Sequence, residues 1–151
     1  MSWPSSLNVR ISGYDETRGR AFYDQLLERV SALPGAESAA LATVVPLGFS
    51  WDQTRVRVPG VELPPGDPGV PVGYNLVSPD YFETLRMPLL AGRTFEAADR
   101  NAGALVVIVN EAVARRFWPN ESVIGKTLVS GNREAEVIGV VPTGFPACCT
   151  V

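Results

Sequence analysis

The chain has 151 residues, 46% of them apolar and 19% charged, which suits one domain, or two small lobes sharing a core, and excludes disorder throughout. Its formal net charge is −3 with no long basic run, so it lacks the Lys/Arg footprint of a nucleic-acid binder or of polybasic membrane attachment. Histidine is absent, which removes Ser-His-Asp and Cys-His pairs and every His-containing zinc site.

Taken in chain order, Leu7, Val9 and Ile11 alternate with polar residues as in a half-buried strand, and Gly13 ends it. Asp15 or Thr17 can cap the helix that follows, whose stripe is Phe22, Leu26, Val30 and Leu33 and whose stop is Pro34-Gly35. Residues 38–45 are small and β-branched and are expected as a second strand, completing a βαβ-like unit. Residues 54–58 alternate as a strand with one exposed basic face, carrying Arg55 and Arg57. The Pro/Gly-rich stretch 59–71 is expected to be a surface connector.

A strand is predicted over 72–77, then a short helix with Ser78 as its N-cap and Pro79 at its first position. Residues 87–95 are expected to form an irregular, mostly buried link. Residues 105–109 form a near-continuous apolar run, the pattern of a strand covered on both faces. Asn110 is placed to cap the next helix. Glu111 sits in its first turn, and Arg115 and Arg116 in its last, as the helix dipole favours. Strands over 127–129 and 135–141, joined at Gly131-Asn132, close the pattern. From Pro142 onward no regular element is predicted. Cys148 and Cys149 are adjacent and cannot staple distant segments. No run reaches the roughly 18 apolar residues of a membrane-spanning helix, and the first residues lack the features of a signal peptide.

Several side chains invite a chemical reading. Asn110-Glu111 places a carboxylate at a strand end, where an acid or base can act, yet capping alone accounts for both residues. Arg93 and Asp99 offer either a small anion site or a structural pair that holds the link. Glu96 and Asp99 supply two oxygens, short of a calcium shell. The aromatics Trp51, Tyr74, Tyr81, Phe82, Phe95 and Trp118 are core packing or the lining of a cleft. Phe49 and Trp51, in a glycine-containing loop, are the candidate partner contact. No catalytic, cofactor-binding or metal residues are assigned, and no cofactor is expected.

Residues 77–85 (VSPDYFETL), the run Pro88-Leu89-Leu90-Ala91-Gly92-Arg93-Thr94-Phe95 and Asp99 resemble the MacB-like periplasmic core domain of bacterial ABC-transporter permeases. Residues 108–117 (IVNEAVARRF), Ile124-Gly125-Lys126 and Val137-Ile138-Gly139-Val140-Val141 resemble its later strands and helix. Tyr14 through Phe22 and Pro34-Gly35 resemble its opening unit. The likeness covers roughly residues 7–141 and is greatest to the duplicated permeases of the macrolide-exporter and lipoprotein-release type.

The resemblance implies an α/β (α+β) fold: a porter-like βαβ lobe, about residues 7–78 plus 132–141, with a smaller inserted α/β lobe at about 79–131. Together these make a core domain over 1–141, followed by an irregular tail at 142–151. It further implies a non-catalytic ectodomain on the periplasmic or extracellular face of the inner membrane. That ectodomain would transmit conformational change and contact a partner or the exported substrate. Its partners would be the permease transmembrane helices, the ATP-binding subunit of the full transporter and a membrane-fusion or carrier protein. The absence of G-x-x-x-x-G-K-[ST] agrees with ATP hydrolysis taking place elsewhere. The alternative is a small-molecule or lipid-binding module that uses the cleft between the lobes.

Overall fold

The computed structural model describes residues 16–44, 52–101, 103–144 and 147–150. The strand expected at residues 7–11, together with Phe49 and Trp51, lies outside the described residues.

Helix α1 spans Glu16–Ser31 and ends in a turn where Gly35 takes φ +87, a conformation that costs glycine little. Leu26 is half-buried, whereas Val30 and Leu33 retain 37% and 58% exposure. The strand predicted over 38–45 is reduced to one bridge, Ala42 opposite Val77. Two backbone bonds, Thr43 N–H to Leu76 O and Ser78 N–H to Leu41 O, each at 2.9 Å, form the bridge, and side chains extend it. Ser78 Oγ accepts the Leu41 N–H at 2.9 Å, and Asn75 Oδ1 accepts the Val44 N–H at 2.9 Å.

The remaining elements are β1 (Asp52–Arg57), β2 (Val70–Val77), α2 (Tyr81–Thr84), β3 (Ala91–Gly92), β4 (Leu105–Asn110), α3 (Glu111–Phe117), β5 (Thr127–Ser130), β6 (Arg133–Val141) and β7 (Ala147–Thr150). The sheet order is β3-β6-β4-β7-β2-β1-β5, with β5 also pairing with β6. That last pairing closes the sheet into a ring from which only the two-residue β3 stands apart. The sheet is mixed, since β4–β6 and β2–β7 are parallel and the other pairs antiparallel.

β6 makes this closure possible. One of its edges pairs with β4, while the opposite edge pairs first with β5 and then with β3. Between the two stretches the register against β4 shifts: Val107 faces Val137, but Ile108 faces Gly139. Ile138 is therefore the extra residue of a bulge, and such a residue bends its strand and reverses the side-chain alternation beyond it.

Two apolar clusters result. One gathers Val56, Val107, Val109, Leu128, Val137 and Val140 with Ala114 and Trp118 of the α3 region. The other joins Val77, Val106, Ile108, Ile138 and Val141 to Tyr81, Phe82, Met87 and Phe95. Alternate residues of β4 belong to different clusters, so this strand is covered on both faces as its apolar run predicts.

Two expectations need correction. The irregular tail expected after Pro142 instead contains a strand, Ala147–Thr150, which forms β7 between β4 and β2. A strand of only four residues carries too little periodicity to declare itself, and its pairing is wholly long-range. The link 87–95 is not mostly buried: Met87 and Phe95 are buried, while Pro88 and the stretch from Leu90 to Arg93 are exposed.

Candidate functional site

Asn110 is the last residue of β4 and the N-cap of α3, still extended at φ −86 and ψ 163. Its Oδ1 accepts the Val113 N–H at 2.9 Å, which satisfies one of the orphan donors of the helix start. Glu111 Oε1 accepts from Arg115 Nη2 at 2.8 Å across one helical turn. This pair is exposed on the arginine side and so contributes only a few tenths of a kcal/mol. The two residues most suggestive of an acid–base pair are thus engaged in the strand-to-helix junction.

Arg93 and Asp99 meet as a bidentate pair, Nη1 to Oδ2 and Nη2 to Oδ1, each at 2.8 Å. Asp99 Oδ2 also accepts the Glu96 N–H at 2.8 Å, and Arg93 Nη1 donates to Thr94 O at 3.0 Å. The hydrogen bond from Arg93 holds the Asp99 carboxyl below the usual carboxylate range, against the opposing effect of burial, and the Glu96 N–H adds to the lowering. The same bond raises the Arg93 guanidinium. The Arg93 backbone N–H reaches Ile138 O at 2.9 Å, which fixes the link to the bulge of β6, while the side-chain pair ties Arg93 to Asp99. Both Asp99 oxygens are occupied, which leaves little for a cation shared with Glu96. No group of three potential metal-ligating side chains occurs among the described residues.

Ser78 does not cap α2. The helix starts at Tyr81 with Asp80 in the N-cap position and no side-chain capping bond. Ser78 is fully buried, and its hydroxyl is taken by the Leu41 N–H, a partner distant in sequence that local patterns cannot reveal.

Of the described aromatics, Tyr81, Phe82 and Phe95 belong to one cluster and Trp118 to the other. Tyr81, Phe82 and Phe95 stack edge-on or tilted at centroid distances of 5.5 and 5.8 Å, whereas Trp118 lies in the other cluster, 5.8 Å from Phe117. Tyr74 is half-buried on β2.

Sequence reasoning missed Asn75. It is 1% exposed, and its amide accepts from Val44 N and Thr43 Oγ1 while donating to Val44 O at 2.8 Å. The available signal was one amide at a core position of an otherwise apolar strand, since buried amides are retained where they find partners.

The fold has counterparts among known proteins. A family model described as the MacB-like periplasmic core domain matches residues 2–147. The chain belongs to that family. This MacB-like domain is 33% identical over 124 residues to the macrolide export ATP-binding/permease protein MacB 1 of Aeromonas hydrophila. The match covers 82% of the chain and 19% of that relative, so the chain spans about a fifth of its length.

Among solved structures, the periplasmic region of MacB from Actinobacillus actinomycetemcomitans superposes with a TM-score of 0.63 at 19% identity, covering 84% of this chain and 53% of that one. The extracellular domain of the noncanonic ABC-type transporter YknZ from Gram-positive bacteria gives 0.62 at 17% identity, covering 84% and 61%. At these identities the likeness speaks for the fold, which is the α/β fold that the sequence resemblance implies. The MacB-like domain is the periplasmic domain of a MacB-type ABC permease. No helix among the described residues is long and apolar enough to cross a membrane.

Proposed function

We propose that this MacB-like domain works by shape and contact, relaying conformational change from the permease helices and meeting a partner protein or the exported molecule, without catalysis of its own. The observation that carries this reading is the use made of its polar side chains. Asn110, Glu111, Arg93 and Asp99, the residues best suited to chemistry, are each engaged in holding a helix start or a link. ATP hydrolysis would belong to a separate ATP-binding part of the transporter, in keeping with the Aeromonas relative being an ATP-binding/permease protein. A membrane-fusion or carrier protein is the expected external partner, and the sequence stretch with Phe49 and Trp51 is its proposed contact.

The test uses the full transporter. Replacing Phe49 and Trp51 with serine should leave the domain folded, by circular dichroism and melting temperature, while weakening co-purification of the partner and reducing export. Undiminished assembly and export would remove the contact. Turnover of a substrate by the isolated domain would remove the non-catalytic reading.

A further inference from the structure

Arg55 and Arg57 lie two residues apart on β1, on the face opposite the buried Val56, and both are exposed. Alternate side chains on a strand stand about 7 Å apart. Among the described residues Arg86, Arg93, Arg100 and Arg115 each pair with a carboxylate, whereas no ion pair involves Arg55 or Arg57. In a chain with more acidic than basic residues, two neighbouring guanidinium groups without a carboxylate partner on one face form a marked local charge.

The two arginines do not stand on a flat surface. They line a cleft of about 570 Å³ with Gln53, Pro68, Pro71 and Ser130. The wall formed by the 58–69 connector is held in place. Arg55 Nη1 donates to Gly69 O at 2.9 Å, and the Gly69 N–H donates to Asp67 Oδ1 at 2.9 Å. Gly69 has φ +107, and a Cβ there would sit 2.7 Å from Val56 O, so only glycine lets the connector approach β1 this closely. Arg55 is therefore oriented in advance with donors to spare, and Arg57 makes one long contact, 3.5 Å to Gly131 O.

We infer that this cleft docks an extended acidic segment of a partner protein, with Arg55 and Arg57 receiving carboxylates from alternate residues of that segment. Charge complementarity selects the occupant, and spacing refines it. An extended peptide repeats its side chains on one face at about 7 Å, the same interval as the two arginines. A membrane surface fits less well, because lipid attachment of this kind draws on clusters of roughly four to eight cations. The inference deepens the partner-contact reading and rests on it.

The test titrates the 151-residue chain with fluorescent octaglutamate, following anisotropy at low and high salt. Binding is expected at low ionic strength and should fade as salt shortens the screening length. Arg55→Gln with Arg57→Gln should weaken it about five-fold or more, and Arg57→Gln alone about three-fold, since the long Gly131 contact leaves most of its donors to the ligand. Arg116→Gln, an exposed arginine on α3, should leave it unchanged. If loss of Arg55 disturbs the fold, the single Arg57 variant decides. Absence of binding, equal loss with Arg116→Gln, or equally strong and arginine-dependent binding of inorganic phosphate or phosphatidylglycerol vesicles would each overturn the inference. None of these outcomes bears on the Phe49 and Trp51 assay, so the two readings fail separately.

Discussion

Asp99 grips Arg93 through both carboxylate oxygens while also taking the Glu96 N–H, and its own side chain is only 8% exposed against 43% for the arginine. The folded-state acidity of Asp99 is therefore depressed below its unfolded value, roughly 3.9. A depressed carboxyl stabilises the fold above the unfolded value, and that contribution is lost as pH falls through the folded one. Asp99→Asn should cost about 1 kcal/mol at neutral pH, a modest figure because water screens the arginine. The gap in urea midpoint between variant and wild type should narrow as pH drops below about 4. An equal gap at pH 7 and pH 3 would count against the pair.

Asn75 fastens Thr43 and Val44 to β2 from inside the core. Asn75→Ala strands both backbone groups of Val44 and should cost about 3 kcal/mol in chemical denaturation. Asn75→Asp keeps the shape but loses the donor to Val44 O. It should be more destabilising at neutral pH than in mild acid, where a protonated carboxyl can donate again.

Glycine at 92 is dictated by contact as well as conformation. At φ +79, a Cβ would lie 2.0 Å from Ile138 O, inside the backbone of β6. Gly92→Ala should therefore cost about 3 kcal/mol or more. Gly125, at φ +83 with open space around it, provides the comparison, and Gly125→Ala should cost about 1 kcal/mol. Similar melting temperatures for the two variants would show that the crossing at Gly92 is loose.

For Asn110, Asn110→Ala should cost about 1 kcal/mol and Asn110→Gly only a few tenths, with export unchanged in the full transporter. A loss well beyond this, or a loss of transport with stability intact, would assign Asn110 a role other than capping.

Local patterns reveal α1, β1, β2, β4, α3, β5 and most of β6, because each has a clear period or a recognisable boundary residue. The Asn110 cap and the Glu111–Arg115 pair are legible for the same reason, being contacts within one helical turn. Long-range partners are not. Ser78 follows every local rule for an N-cap, yet its hydroxyl belongs to Leu41, 37 residues earlier. The bulge at Ile138 looks like uninterrupted strand in sequence, because only the facing β4 shows that a residue has been added. β7 is short and placed by two neighbours far away in the chain, so no window around residues 147–150 could have announced it.

The position of β7 has a mechanical consequence. It runs parallel to β2 and antiparallel to β4, with hydrogen-bonded neighbours on both sides. Ladder bonds lie across the strand direction, so a pull along this strand loads them side by side in shear and cannot peel them one at a time. Tension entering near Thr150 would be divided between two strands deep in the sheet, making a stiff point of attachment out of four residues.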